Sequence, residues 1–160
     1  MTKLTFFPIG NADTCLVEFQ DERRMLVDFA DMADLGKDDD KRCNLSALLS
    51  EDLEEAGVDE YHIVAFTHLD DDHCHRASEY FWLDHASTYQ GEGRKKIGTL
   101  WVPAGVITEE GVTGDAWAIR QEARYRLKNG EGIIVFSRPE RLKDWLGEND
   151  LTVEDREDCF

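Results

Sequence analysis

Seven residues, Tyr61 to Thr67 (YHIVAFT), form an apolar, β-rich run with no polar alternation beyond His62. That is the pattern of a strand covered on both faces, since only a strand with one wet face alternates polar and apolar side chains. The run therefore requires a layered fold with this strand near the middle of a sheet. It passes without a break into His68-Leu69-Asp70-Asp71-Asp72-His73. Carboxylates packed into one turn raise the cost of ionising their neighbours, and in open α/β sheets ligands gather where strands end. A divalent cation among them relieves that cost. Imidazole with carboxylate suits zinc, manganese or iron better than calcium, which prefers an all-oxygen cage. An EF-hand also needs glycine at its sixth loop position, and counting from Asp70 that position is His75. An acidic turn stabilised only by the dipole of a following helix is the competing explanation. The buried strand before the turn and the histidines on both sides weigh against it.

The rest of the chain supplies elements that could build such layers. Leu4 to Ile9, Cys15 to Phe19 and Met25 to Phe29 are apolar runs split by Gly10-Asn11 and by a polar turn, which predicts an opening set of antiparallel strands. Leu45, Leu48, Leu49, Leu53 and Ala56 recur at helical spacing between a capping Asn44 and a terminating Gly57. A helix is expected from about Arg76 to Tyr89, a strand over Ile97 to Val102 and a helix over Asp115 to Lys128. A strand over Ile133 to Phe136 follows, then a last helix beginning at Pro139 and closing at Gly147. The order βββ-αβαβαβα predicts an α/β layered protein with a mixed sheet. Trp82, Trp101, Trp117 and Trp145 fall on regular elements and are expected in the core.

Composition narrows the function. With 41% hydrophobic and 33% charged residues in 160, the chain describes a globular protein with a sizeable core. A net charge of -17 opposes a sequence-independent grip on phosphate backbones, although bound divalent ions can invert the sign of the field at a site. The cationic concentrations are Arg94-Lys95-Lys96 and the group Arg120, Arg124, Arg126 and Lys128, expected to be solvated faces. Four widely spaced cysteines with no C-x-x-C fit a reducing cytoplasm, and no apolar run of roughly 18 residues points to a membrane. Cys74 is expected to pack the helix start, and His75 and His85 to be ordinary helix residues.

The segment Thr67 to His73, THLDDDH, resembles the H-x-[HD]-x-D-H signature of metallo-β-lactamase-fold hydrolases. The variant with aspartate in the second position is similar to that of the hydrolase domain of competence-type DNA-uptake proteins. FFPIGNADTCLVEF resembles that group's opening strand and turn, MLVDFAD the following strand, and IGTLWVPAG the strand after the motif helix. The likeness covers about Leu4 to Val106; where relatives follow the motif with Ile-Gly-Gly, this chain has Cys74-His75-Arg76. The resemblance implies an αββα sandwich and two divalent metal ions, zinc first and manganese second. His68 and Asp70 would contribute to one ion and Asp72 and His73 to the other, with Asp72 and His73 central to catalysis. Asp13 and Asp28 would orient ligands or water without binding the ions. The implied reaction is hydrolysis of a phosphodiester, with nucleic acid as substrate, by a hydroxide shared between ions about 3.5 to 4 Å apart.

The family takes further ligands, an aspartate and two histidines, from its second half, and this chain has no histidine after His85. Residues 1–160 are therefore expected to be about the N-terminal half of the domain, the rest coming from a further segment or a second chain. An Asp-His-His phosphoesterase is an alternative reading of T-H-x-D-x-D, but that class has glycine where His73 stands. A non-catalytic regulatory or scaffold half-domain, or a proteolytic fragment of a pro-enzyme, is the other alternative.

Overall fold

A computed structural model gives the structure of residues 1–160. Six strands form one sheet in sequence order: β1 (Lys3–Phe6), β2 (Cys15–Glu18), β3 (Arg24–Val27), β4 (Glu60–Ala65), β5 (Lys96–Pro103) and β6 (Ile133–Phe136). β1, β2 and β3 pair antiparallel, and β3 to β6 run parallel. The expected α/β class and mixed sheet are therefore present, with β4 among the central strands.

Each parallel crossover carries helix, as parallel strands require. Helix α1 (Leu45–Ala56) joins β3 to β4 and buries Leu45, Leu49 and Leu53. Asn44 accepts the Ala47 N–H at 3.1 Å and Gly57 closes the helix in the left-handed region at φ 71°. Asp31, buried, adds a second cap by accepting from the Leu45 and Ser46 amides and from the Ser46 hydroxyl. Two single-turn helices, α2 (Asp71–Cys74) and α3 (Ala77–Tyr80), follow β4. After β5 come α4 (Ala104–Thr108), which the sequence pattern did not predict, and α5 (Gly114–Asn129); α6 (Glu140–Glu148) follows β6.

The long helix expected over Arg76 to Tyr89 does not form. It stops at Tyr80, and Phe81 turns extended. The Trp82 amide then donates to the Lys95 carbonyl and the Lys95 amide to the Tyr80 carbonyl, both at 2.9 Å. Phe81 and Leu83 are buried on either side of half-buried Trp82, so the period here is that of a strand. Of the tryptophans, only Trp145 joins the core; Trp82 and Trp101 are half-buried and Trp117 is exposed.

The core occupies one side of the sheet. Leu16, Leu26, Val64, Leu100 and Ile133 lie in register across β2 to β6 and are buried, with Val102 and Val135 beside them. The buried apolar residues of α1, α5 and α6 belong to that same cluster. Tyr61 and Ile97 join it too: strand pairing skips His62 and Gly98, and the Tyr61 hydroxyl donates to the Leu49 carbonyl of α1.

The opposite side is apolar and open. One registered row is Leu4, Val17, Met25, Ile63 and Thr99; the next is Phe6, Cys15, Val27, Ala65, Trp101 and Ile134; Pro103 and Phe136 complete it. None of these side chains is charged, none is buried, and none packs against the core cluster. The expectation that β4 is covered on both faces is thus met on one face only. No helix is long and apolar enough to cross a membrane.

Candidate metal centre

The turn after β4 is stitched to the ends of two neighbouring strands by backbone hydrogen bonds. The Asp28 amide donates to the Ala65 carbonyl at 2.7 Å, Phe29 to His73 at 3.0 Å, and Asp13 to Asp72 at 3.2 Å. Leu69 and Cys74 are buried beneath it and anchor the turn from below. Side chains of Asp13, Asp28 and the motif are thereby brought to one edge of the sheet, at the C-terminal end of β4.

His68, Asp72 and His73 gather there, each with one ligand atom within 4.8 Å of the others. The two imidazole rings are 3.7 Å apart between centroids. His73 Nδ1 lies 2.9 Å from Asp28 Oδ2, and both side chains are almost fully withdrawn from solvent, at 11% and 4% exposure. A carboxylate can only accept, so it selects the tautomer with the proton on Nδ1 and leaves Nε2 free. That Nε2 faces Asp72 Oδ2 at 3.8 Å and Asp13 Oδ2 at 3.9 Å.

Thr67 extends this control to the second histidine. Its amide and its hydroxyl both donate to Asp28, each at 2.7 Å. With its proton committed to Asp28, the hydroxyl oxygen accepts from His68 Nδ1 at 3.0 Å, which leaves His68 Nε2 free as well. Asp28 itself sits at φ 54°, in the left-handed region where aspartate is among the few tolerated side chains.

The sequence-predicted residues divide accordingly. His68, Asp72 and His73 come together. Asp70, at 75% exposure, lies outside that group, with its carboxylate 3.5 Å from His68 Nε2. Asp28 stands behind His73, while Asp13 faces the free nitrogen of His73 on the same side as the ligand atoms. Cys74 is kept as a thiol: burial, reinforced by the charges of Asp115, Asp71, Asp28 and Asp70, pushes its pKa up to about 12. His75 bonds Asp71 at 3.0 Å and stays outside the cluster. His85 is committed elsewhere, to buried Glu122 at 3.0 Å. Thr67 is the participant that spacing alone did not flag, although it immediately precedes the first histidine of the motif.

Two imidazole nitrogens and one carboxylate oxygen make a donor set suited to zinc. Ligands at about 2 Å from one tetrahedral ion lie roughly 3.3 Å apart, so the separations of up to 4.8 Å would have to close by about 1.5 Å. The fold and this edge together define an α/β protein with a histidine and aspartate cluster at the C-terminal end of a central parallel strand. Comparison with protein-family models finds no match, and comparison with curated proteins finds none either.

Proposed function

We propose that this protein is a metal-dependent hydrolase of the metallo-β-lactamase type, acting on phosphodiester bonds. The observation that carries the reading is the convergence of His68, Asp72 and His73 beside a buried Asp28 that fixes the imidazole of His73. Support also comes from Arg76, which adopts φ 60° where the resembled family has the second glycine after its motif. The unusual backbone is kept although the side chain is not glycine.

His68, Asp72 and His73 would hold a divalent ion, zinc or manganese, and Asp70 lies beside His68 on the exposed side, where a second ion would bind. A bound ion supplies Lewis acidity toward a phosphoryl oxygen and lowers the pKa of water. The chain's own contribution is positional: Asp28 holds a proton on His73 Nδ1, Thr67 relays that constraint to His68, and Asp13 offers an exposed carboxylate beside His73. A second chain packed on the open sheet face would complete the layered fold.

The experiment is titration with zinc and with manganese, followed by assay of DNA and RNA cleavage, for the wild type and Asp72→Ala. The expected outcome is metal binding and metal-dependent cleavage by the wild type, both lost in the variant. Cleavage that survives Asp72→Ala unchanged rejects the assignment.

A further inference from the structure

We infer that Asp13 is itself a ligand of the ion held by His68, Asp72 and His73, completing a set of two imidazoles and two carboxylates from this chain alone. The inference rests on the metal-centre reading above. It reverses the role the resemblance implies for Asp13, that of orienting ligands or water without binding the ion.

The first observation is a mismatch of polarity. Asp28 fixes the proton of His73 on Nδ1, so Nε2 presents a lone pair. Facing it are two carboxylate oxygens, which are also acceptors: Asp72 Oδ2 at 3.8 Å and Asp13 Oδ2 at 3.9 Å. Acceptors facing one another need something positive between them, and one divalent ion satisfies all three. Ligands of a tetrahedral ion lie roughly 3.3 Å apart, so each oxygen is about 0.5 Å from its place relative to Nε2. By that measure Asp13 is set as well as Asp72.

The second observation is how Asp13 is held: its backbone is fixed and its side chain is free. The Asp13 amide donates to the Asp72 carbonyl at 3.2 Å. The next residue, Thr14, is buried; its hydroxyl donates to the Asp13 carbonyl at 2.8 Å and accepts from the Ala30 amide at 3.2 Å. The main chain is thereby tied both to the motif turn and to the segment after β3. The Asp13 carboxylate, in contrast, pairs only with His73 and is 83% exposed. It lies outside the three residues whose ligand atoms are mutually within 4.8 Å, and nothing holds it from turning inward. Asp28 cannot take this place, because it bonds the opposite nitrogen of the same ring.

The third observation is charge. Two neutral imidazoles, two carboxylates and a divalent ion sum to zero, so the ion cancels the repulsion that Asp13 and Asp72 add to a chain of net charge -17.

Titration of the full chain with zinc, and with cobalt(II) as a coloured substitute for it, tests this in the wild type, Asp13→Ala, Asp13→Cys, Asp72→Ala and Asp71→Cys. The wild type should bind zinc, and Asp13→Ala should bind it more than about 100-fold more weakly, beyond the range typical of partners that only orient a ligand. A metal-bound thiol is deprotonated, so Asp13→Cys should show a sulfur-to-cobalt charge-transfer band. Asp71→Cys should show none, because Asp71 bonds His75 outside the cluster. Asp13 is exposed, so its variants retain the fold, which circular dichroism verifies. A wild type that binds no ion overturns the inference together with the metal-centre reading. Zinc binding that is lost in Asp72→Ala but unchanged in Asp13→Ala overturns the inference alone. So does a weaker Asp13→Ala accompanied by an Asp13→Cys without the band, since Asp13 then acts from outside the coordination shell.

Discussion

Asp28 concentrates the constraint at the candidate site in one carboxylate. It accepts from the Thr67 amide, the Thr67 hydroxyl and His73 Nδ1, and it does so from a left-handed backbone at φ 54°. Such a conformation costs a non-glycine residue on the order of 1 kcal/mol, offset here by three hydrogen bonds to a buried charge. Thr67→Val keeps the volume and removes the hydroxyl, so His68 loses the acceptor that fixes its tautomer. The expected outcome is zinc affinity lower by about 10- to 100-fold, read by calorimetric titration, with Thr67→Ser restoring it. Nitrogen-15 shifts of His68 in the metal-free protein should show a mixed tautomer in Thr67→Val and a single one in Thr67→Ser. The role of Asp28 was legible through a resemblance in the short run MLVDFAD. That of Thr67 was not, because it depends on a carboxylate 39 residues away in sequence arriving within 2.7 Å.

Among the elements, those with a strict period and a cap were legible. α1 has both a clean apolar stripe and its Asn44 and Gly57 boundaries, and it forms where the pattern places it. The segment after α2 was not legible, because Tyr80, Phe81, Trp82 and Leu83 are consecutive apolar residues that satisfy either period. Pairing with Lys95 decided for extended chain. The basic residues of α5 likewise changed meaning. Arg120 and Arg126 are buried rather than solvated; Arg120 and Arg124 bond Glu110 and the carbonyls of Glu109 and Ile107, and Arg126 bonds Glu122 and the carbonyls of Ile97, Gly98 and Gly132. Burial works against the charge on Glu122, but hydrogen bonds from His85 and Arg126 outweigh it and lower its pKa. Where β4 and β5 skip a pair, a Cβ on Gly98 would lie 2.8 Å from the His62 carbonyl oxygen, a contact backbone cannot yield easily. Gly98→Ala is therefore expected to destabilise the protein by about 1 to 3 kcal/mol, measured by urea denaturation.

The whole molecule carries a tyrosine pair at the heart of its core. Tyr61 and Tyr80 share a hydrogen bond at 3.2 Å between hydroxyls. Burial pushes the Tyr80 phenol up to about 12, and burial with the neighbouring Tyr80 raises Tyr61 further. Unfolded tyrosines lose their protons near pH 10.0. Above that pH the unfolded chain binds fewer protons than the folded one, so stability present below pH 10 is lost as pH rises, by about 1.4 kcal/mol per pH unit for each tyrosine. Urea denaturation at a series of pH values above 10 should show this fall, and Tyr80→Phe should make it shallower.

The sequence by itself determined the α/β class, the order of the six strands, and the turn that gathers histidine and aspartate. These follow from local periodicity, capping residues and the clustering of like charges, all of which act over a few neighbours. Only the tertiary structure decided that one sheet face stays apolar and open, that Thr67 links Asp28 to His68, and that Arg120 and Arg126 are buried. Each depends on which strands lie side by side and in what register, and a residue's neighbours across a sheet are set by the packing of the whole chain.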